Sequence, residues 1–223
     1  MFFMIVTFAS SKGGVGKSTT CAAVAAHLAL GGEGVQVIDL DQNGTLKRWA
    51  LRTSIPNLTV TAIEPPAFTA FCRESQESGE FDHILIDLAG SREVTLLKAL
   101  ARADLVIIPA QASEPDMREA LVIADDLRDV AETAGREIPF RVLLTKMFPL
   151  RTRVSEFAFA ELERHRLPRF ETVLIERASY REMFLNGEPP TLTEPNRAGA
   201  EIAALVAEMK AVVGAASVTR SAA

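Results

Sequence analysis

Short apolar runs alternate with stretches of helical periodicity along almost the whole chain. The runs at 4–9, 35–40, 58–62, 83–88, 105–109, 140–145 and 171–175 are mostly β-branched and have no polar face. They are predicted as strands buried on both sides of a parallel sheet. Between them, 17–30, 45–53, 67–78, 93–102, 114–134, 154–166 and 197–213 carry apolar positions at helical spacing. The punctuation agrees. Gly31, Gly32 and Gly34 follow the first helix. Ser113, with Pro115 and Asp116 behind it, opens the fifth, and Gly135 closes it. Asn186, Gly187, Pro189 and Pro190 read as an ordered loop before the last helix. Strand–helix alternation implies right-handed crossovers and an α/β fold: an open, mostly parallel sheet of about seven strands with helices on both faces. No repeat or linker divides the chain, so 1–213 reads as one domain and 214–223, small and polar, as a flexible tail.

Composition narrows the partners. Apolar residues make up 48% of the 223 and charged residues 24%, enough for a full core and too many apolar side chains for disorder. The net charge of -5 does not suit a protein that only coats nucleic acid, so any DNA contact has to come from a local basic patch. Cys21 and Cys72 lack metal-ligand spacing and read as reduced thiols. The opening MFFMIVTFAS is apolar but short and has no basic leader, so it reads as a buried strand rather than a signal peptide. No segment approaches the roughly 20 apolar residues of a membrane span, and a cytoplasmic location is expected.

The chemistry concentrates in Lys12-Gly13-Gly14-Val15-Gly16-Lys17-Ser18-Thr19, which follows a strand and opens a helix. That is the context of a phosphate-binding P-loop. The glycines let backbone N–H groups turn toward phosphate oxygens, and the helix N-terminus adds partial positive charge. Lys17 is placed for the β- and γ-phosphates, Ser18 for Mg²⁺ and Thr19 for the α-phosphate. Asp39 and Asp41 end the second strand, where alternation turns both carboxylates to the same side and into the ligand crevice. Asp87 ends the fourth strand as a Walker B carboxylate would, holding Mg²⁺ through water. His27, His83 and His165 have no motif around them and read as structural or surface residues; Trp49 and Arg48 read as packing or surface positions.

Lys12 is the unusual member, because an ordinary P-loop needs only Lys17. With it, the string resembles the deviant Walker A motif, KGGVGK[ST]T, of the ParA/MinD family of ATPases. The resemblance spans the chain from Ile5 to about Met209. It implies ATP/ADP and Mg²⁺ as cofactors and a homodimer in the ATP state, in which Lys12 reaches across to the partner's ATP. It also implies that Asp41 orients or polarises the attacking water while Asp39 joins the Mg²⁺ and phosphate network. The segment after Asp41 is Gln42-Asn43-Gly44, where the family usually has Pro-Gln-Gly, and Leu88-Ala89-Gly90 likewise departs from the usual switch II string. The strand ending at Lys146 leads, in the family, to adenine contacts; Met147 and Pro189 are the nearest positions. Nonspecific DNA binding by the ATP dimer is expected of the family. The stretch from Arg141 to Arg181 is locally basic and supplies Arg151, Arg153, Arg177 and Arg181 as candidates, with Arg164, Arg166 and Arg169 beside them.

The first residues leave no room before the P-loop for a helix-turn-helix, so the chain resembles the short ParA subclass and also the related ATPase that assists T-DNA transfer from Ti plasmids. The last helix lacks the Lys/Arg stripe of a membrane-anchoring helix like that of MinD, and no membrane partner is expected. The main reading is a weak ATPase used as a partition or positioning switch, associated with the nucleoid in its ATP state and stimulated by a ParB-like protein or cargo adaptor. The alternative is an accessory ATPase for DNA processing or T-DNA-type transfer that binds a specific site. A third, a ligase-type metabolic enzyme on the same fold, has no substrate domain to support it.

Overall fold

The computed structural model describes residues 3–88, 90, 94–150, 152–192 and 197–222. Its six strands are β1 (Met4–Phe8), β2 (Val35–Asp39), β3 (Leu58–Ala62), β4 (His83–Asp87), β5 (Leu105–Ala110) and β6 (Phe140–Leu144). All pair in parallel in the order β3-β2-β4-β1-β5-β6. The helices are α1 (Lys17–Leu30), α2 (Thr45–Ala50), α3 (Phe68–Glu77), α4 (Val94–Arg102), α5 (Glu114–Ala134), α6 (Arg153–Arg164), α7 (Ala178–Asn186) and α8 (Arg197–Ala222). Among the described residues, no helix is long and apolar enough to cross a membrane.

The lack of a polar face on the strands is explained by two separate cores. Met4, Val6 and Phe8 of β1 pack with α1, α2, α7 and α8, whereas Ile5 and Ala9 turn to the other side, against α3, α4, α5 and α6. Thr7 is buried and donates its hydroxyl to the Ala99 carbonyl at 3.3 Å. The Ala-rich α1 lies buried along most of its length between the sheet and α8, because small side chains let helix and sheet approach closely.

Three elements differ from the sequence reading. The expected strand at 171–175 is a broken ladder, so among the described residues the sheet has six strands rather than seven. Phe170 N–H donates to Val142 O at 3.0 Å and Leu174 N–H to Leu144 O at 2.9 Å, beside β6. Between these contacts the backbone turns to α8 instead. Glu208 accepts from the N–H groups of Glu171 (2.8 Å) and Thr172 (2.9 Å), and Glu201 accepts from Ile175 at 3.2 Å. Side-chain carboxylates thus take the bonds that a seventh strand would have formed. Secondly, α7 occupies residues that the sequence reading left without an element. Tyr180 and Met183 are its buried face, and Gly187 closes it with φ +83°. Thirdly, α8 runs to Ala222 rather than stopping near Val213.

Glu208 satisfies two backbone donors and the Thr172 hydroxyl at once. Glu208→Ala is therefore expected to lower stability by about 1–3 kcal/mol, a drop in Tm of roughly 2–12 °C, read by thermal unfolding.

Candidate functional site

The P-loop rises from the C-terminal end of β1, beside β4, where the chain leaves the two neighbouring strands in opposite directions, from β1 toward β2 and from β4 toward β5. Gly14 and Gly16 sit at φ +79° and +93°, left-handed values that a side chain rarely adopts, and a Cβ on Gly13 or Gly14 would meet nothing within 4 Å. The loop backbone therefore borders open space, as a phosphate cradle must. It is pinned from both flanks. On the α5 side, Glu119 accepts from Ser11 N–H at 3.1 Å and Gln111 Nε2 donates to Gly14 O at 3.2 Å. From the end of β6, Lys146 Nζ donates to the same carbonyl at 2.7 Å.

Lys17 is only 8% exposed, and its Nζ donates to Lys12 O at 2.7 Å. Burial lowers its pKa, opposed by the carboxylates of Asp87, Asp41 and Glu119. Asp87 lies at the end of β4, level with Phe8 on one neighbour and Asp39 on the other. It is fully buried, and neither oxygen has a partner of hydrogen-bonding geometry. Burial pushes its carboxyl up to about 7; the nearby Ser18 hydroxyl and Lys17 pull it down, while Asp39 and Asp41 push it further up. A dry carboxylate beside a hydroxyl and without a partner is the donor set a hard cation takes.

The two aspartates after β2 divide their work. Asp39 is buried and organises the backbone: its oxygens accept from Asp41 N–H at 3.0 Å and Lys47 N–H at 3.1 Å. Its pKa is raised by burial, with those N–H groups opposing. Asp41 borders the phosphate cradle, a cavity of about 500 Å³, and accepts from Asn43 N–H at 3.0 Å. Lys12 points toward α5, its Nζ 3.5 Å from the Asp116 carboxylate of the same chain.

A second cavity of about 310 Å³ adjoins the cradle and shares Gly16, Thr19, Lys146 and Phe184 with it. Its walls are mostly apolar, from Leu174, Ile175, Tyr180 and Phe184, with Glu176 and Arg181 at its edge. Sequence reading missed this pocket, and neither Met147 nor Pro189 lines either cavity. Both are buried. Met147 acts through its backbone, which bonds to Leu174 and Glu176 and so shapes the wall. The signal that could have revealed the pocket is the Tyr180 and Met183 spacing, followed by Asn186-Gly187 as a helix stop.

The arginine candidates differ in their partners. Arg153 is exposed at the start of α6. Arg177 is paired with Glu201 at 2.5 Å, and Arg181 with Glu176 at the mouth of the apolar cavity. Arg151 lies outside the described residues. Arg164 pairs with Glu161, and Arg169 stacks on Phe159 at 5.1 Å. Of the remaining sequence candidates, Trp49 and both cysteines are buried, and His83 is buried against Glu33 at 2.8 Å.

The parallel sheet, the glycine loop carrying a second lysine and the carboxylates at the ends of β2 and β4 define a P-loop ATPase of the ParA/MinD type. The profile of the VirC1 protein family matches residues 3–192, and the chain belongs to that family. It is 30% identical over 188 residues to Protein ParA of Rhizobium radiobacter, covering 82% of this chain and 83% of that one. It is 29% identical over 184 residues to Protein virC1 of Rhizobium rhizogenes, covering 80% and 79%. The structure resembles a plasmid partition protein of Borrelia burgdorferi solved with AMPPNP, with a TM-score of 0.71 and 20% identity, covering 92% of this chain and 97% of that one.

The raised Asp87 pKa has a pH signature. Native Asp87 holds its proton up to about pH 7, whereas the unfolded carboxyl loses it near the ordinary aspartate value of 3.8. The stability this contributes is complete below the unfolded value and is lost as pH rises through the folded one. Without divalent cations, Tm is expected to fall between about pH 4 and pH 7 by this contribution, and Asp87→Asn is expected to flatten that part of the profile, measured by scanning calorimetry.

Proposed function

We propose that this chain hydrolyses ATP to ADP and phosphate as a dimerising switch that partitions or positions a cargo on DNA. The observation that carries the reading is a glycine cradle bordering open space, with Lys17 tethered to its backbone and attracted by Asp87, whose buried oxygens have no partner of hydrogen-bonding geometry. The α-phosphate would lie at Thr19, with Lys17 against the β- and γ-phosphates and the N–H groups of Gly13 to Lys17 around them. Ser18 and Asp87 would hold Mg²⁺, which when bound supplies charge neutralisation at the β- and γ-phosphates. Adenine would fill the apolar cavity between Lys146 and Tyr180. Asp41, at the rim of the cradle, would orient water for in-line attack on the γ-phosphorus and accept the proton that water gives up, as the bond from that phosphorus to the β–γ bridging oxygen breaks and ADP leaves.

Lys12 would act on the nucleotide of a second subunit, and for that it must leave Asp116. The pair is 3.5 Å apart with the lysine side chain 36% exposed, so releasing it costs no more than about 1 kcal/mol. The charge developing on a water-excluded γ-phosphate offers far more than that. Slow basal turnover, cytoplasmic location, DNA association in the ATP state and stimulation by a partner protein complete the reading. Its DNA surface is nonspecific and centred on Arg153 and the neighbouring β6–α6 segment, with Arg151, Arg177 and Arg181 as the further candidates. The VirC1 family match favours a second reading, an accessory ATPase that binds one DNA site; footprinting separates the two, because a protected sequence supports the second and uniform binding the first.

Lys17→Ala is expected to weaken ATP binding by about 100-fold or more. Lys12→Ala is expected to bind ATP but to stay monomeric when sized with a nonhydrolysable analogue, where the parent chain dimerises. A Lys12→Ala protein that dimerises and responds to its stimulating partner like the parent chain would sink the trans-lysine mechanism. Nonspecific DNA affinity of the ATP state should drop steeply between about 50 and 200 mM salt, followed by anisotropy.

A further inference from the structure

The seam between α2 and α7 joins the phosphate cradle to the apolar cavity. A Cβ on Gly187 would lie 2.3 Å from the Arg52 carbonyl oxygen and 2.6 Å from its carbon, so this contact is open to glycine alone. The Arg52 guanidinium donates to the Phe184 carbonyl at 3.3 Å, and Phe184 lines both cavities. At its other end α2 is bonded to the Asp41 loop. Asp39 accepts from both Asp41 and Lys47, Gly44 N–H donates to Asp41 O at 2.8 Å, and Arg48 donates to the Asn43 carbonyl. Trp49, buried in the core, accepts from Arg52 N–H at 2.8 Å and fixes the axis of the helix. An unbroken run of packed and hydrogen-bonded groups therefore leads from Phe184 to Asp41, and close-packed elements move as units rather than deforming smoothly.

We propose that this seam is a positioning device in which a base seated against Tyr180 and Phe184 fixes α7, and α7, through Gly187 on Arg52, fixes the loop that carries Asp41. Gly187 and Arg52 are positioning residues, since neither lines a cavity. The inference rests on the nucleotide reading above and adds to it that base recognition licenses hydrolysis as well as adding affinity. A nucleotide whose base fits poorly would occupy the cradle without ordering Asp41, so discrimination among bases would fall on kcat more than on KM.

The test uses the full chain with Mg–ADP and, separately, Mg–pyrophosphate, with hydrogen exchange followed at residues 41–52. ADP is expected to slow exchange there several-fold and pyrophosphate to leave it unchanged. Gly187→Ala is expected to abolish the ADP effect, to change the ADP Kd less than about threefold, and to lower kcat about tenfold at nearly constant KM. Arg52→Ala, which removes the bond to Phe184 and keeps both backbones, is expected to lose part of the protection, and it decides the matter alone if Gly187→Ala does not fold. Full protection by ADP in every variant that folds, or equal protection by pyrophosphate, overturns the seam and leaves the nucleotide site standing. Failure of the parent chain to bind ADP overturns the nucleotide reading itself.

Discussion

Two ionisable groups held in a dry place organise this molecule: Lys17 at the head of α1 and Asp87 at the end of β4. Each sits on one of the most deeply packed elements of the fold. α1 is buried between the sheet and α8, and β4 lies between β1 and β2. Buried ions are costly unless paired and hydrogen-bonded, yet here Lys17 bonds to a loop carbonyl and Asp87 to nothing of proper geometry. The two hydrophobic cores hold the charges in place, and their desolvation keeps Lys17 lowered and Asp87 raised. An anion and a cation arriving together would relieve both, which is why nucleotide with its metal fits the site better than either alone.

Local chemistry made most of this legible from the sequence. The continuous apolar strands and the loop-to-helix transition at Lys12–Thr19 depend on neighbours in the chain, so the order of elements, the P-loop and the three aspartates could be read directly. The misreadings came from contacts distant in sequence. The 171–175 run has the composition of a strand, but Glu201 and Glu208, some thirty residues further on, take its N–H groups. Nothing in the run itself announces that competition.

The same distance effect governs the site. Arg177 and Arg181 look like free cations in the sequence, and folding gives one to Glu201 and the other to Glu176. Asp116 and Glu119 lie more than 100 residues from the loop they hold, and their spacing on α5 only suggests a capped helix start. The apolar cavity is assembled from the P-loop, the end of β6, the broken ladder and α7, and no short string encodes it. Met147 follows Lys146, and its backbone bonds to Leu174 and Glu176 shape the wall of the pocket.

The acidic face of α5 gives the site its bias. Asp116 faces Lys12, while Glu119 binds the loop and adds attraction to Lys17, so each lysine of the loop has a carboxylate near it. A triphosphate would take over Lys17 and bring its own negative charge toward those carboxylates, and part of its binding energy would go into that repulsion. On the proposed reading the loss is useful. It loosens Lys12 from Asp116 at the moment when a second subunit's phosphates become a better partner, so that occupancy of the pocket is converted into a tendency to pair. An ordinary P-loop lysine, bound only to its own nucleotide, has no such second choice, and the extra lysine gains its meaning from the carboxylate that holds it in its absence.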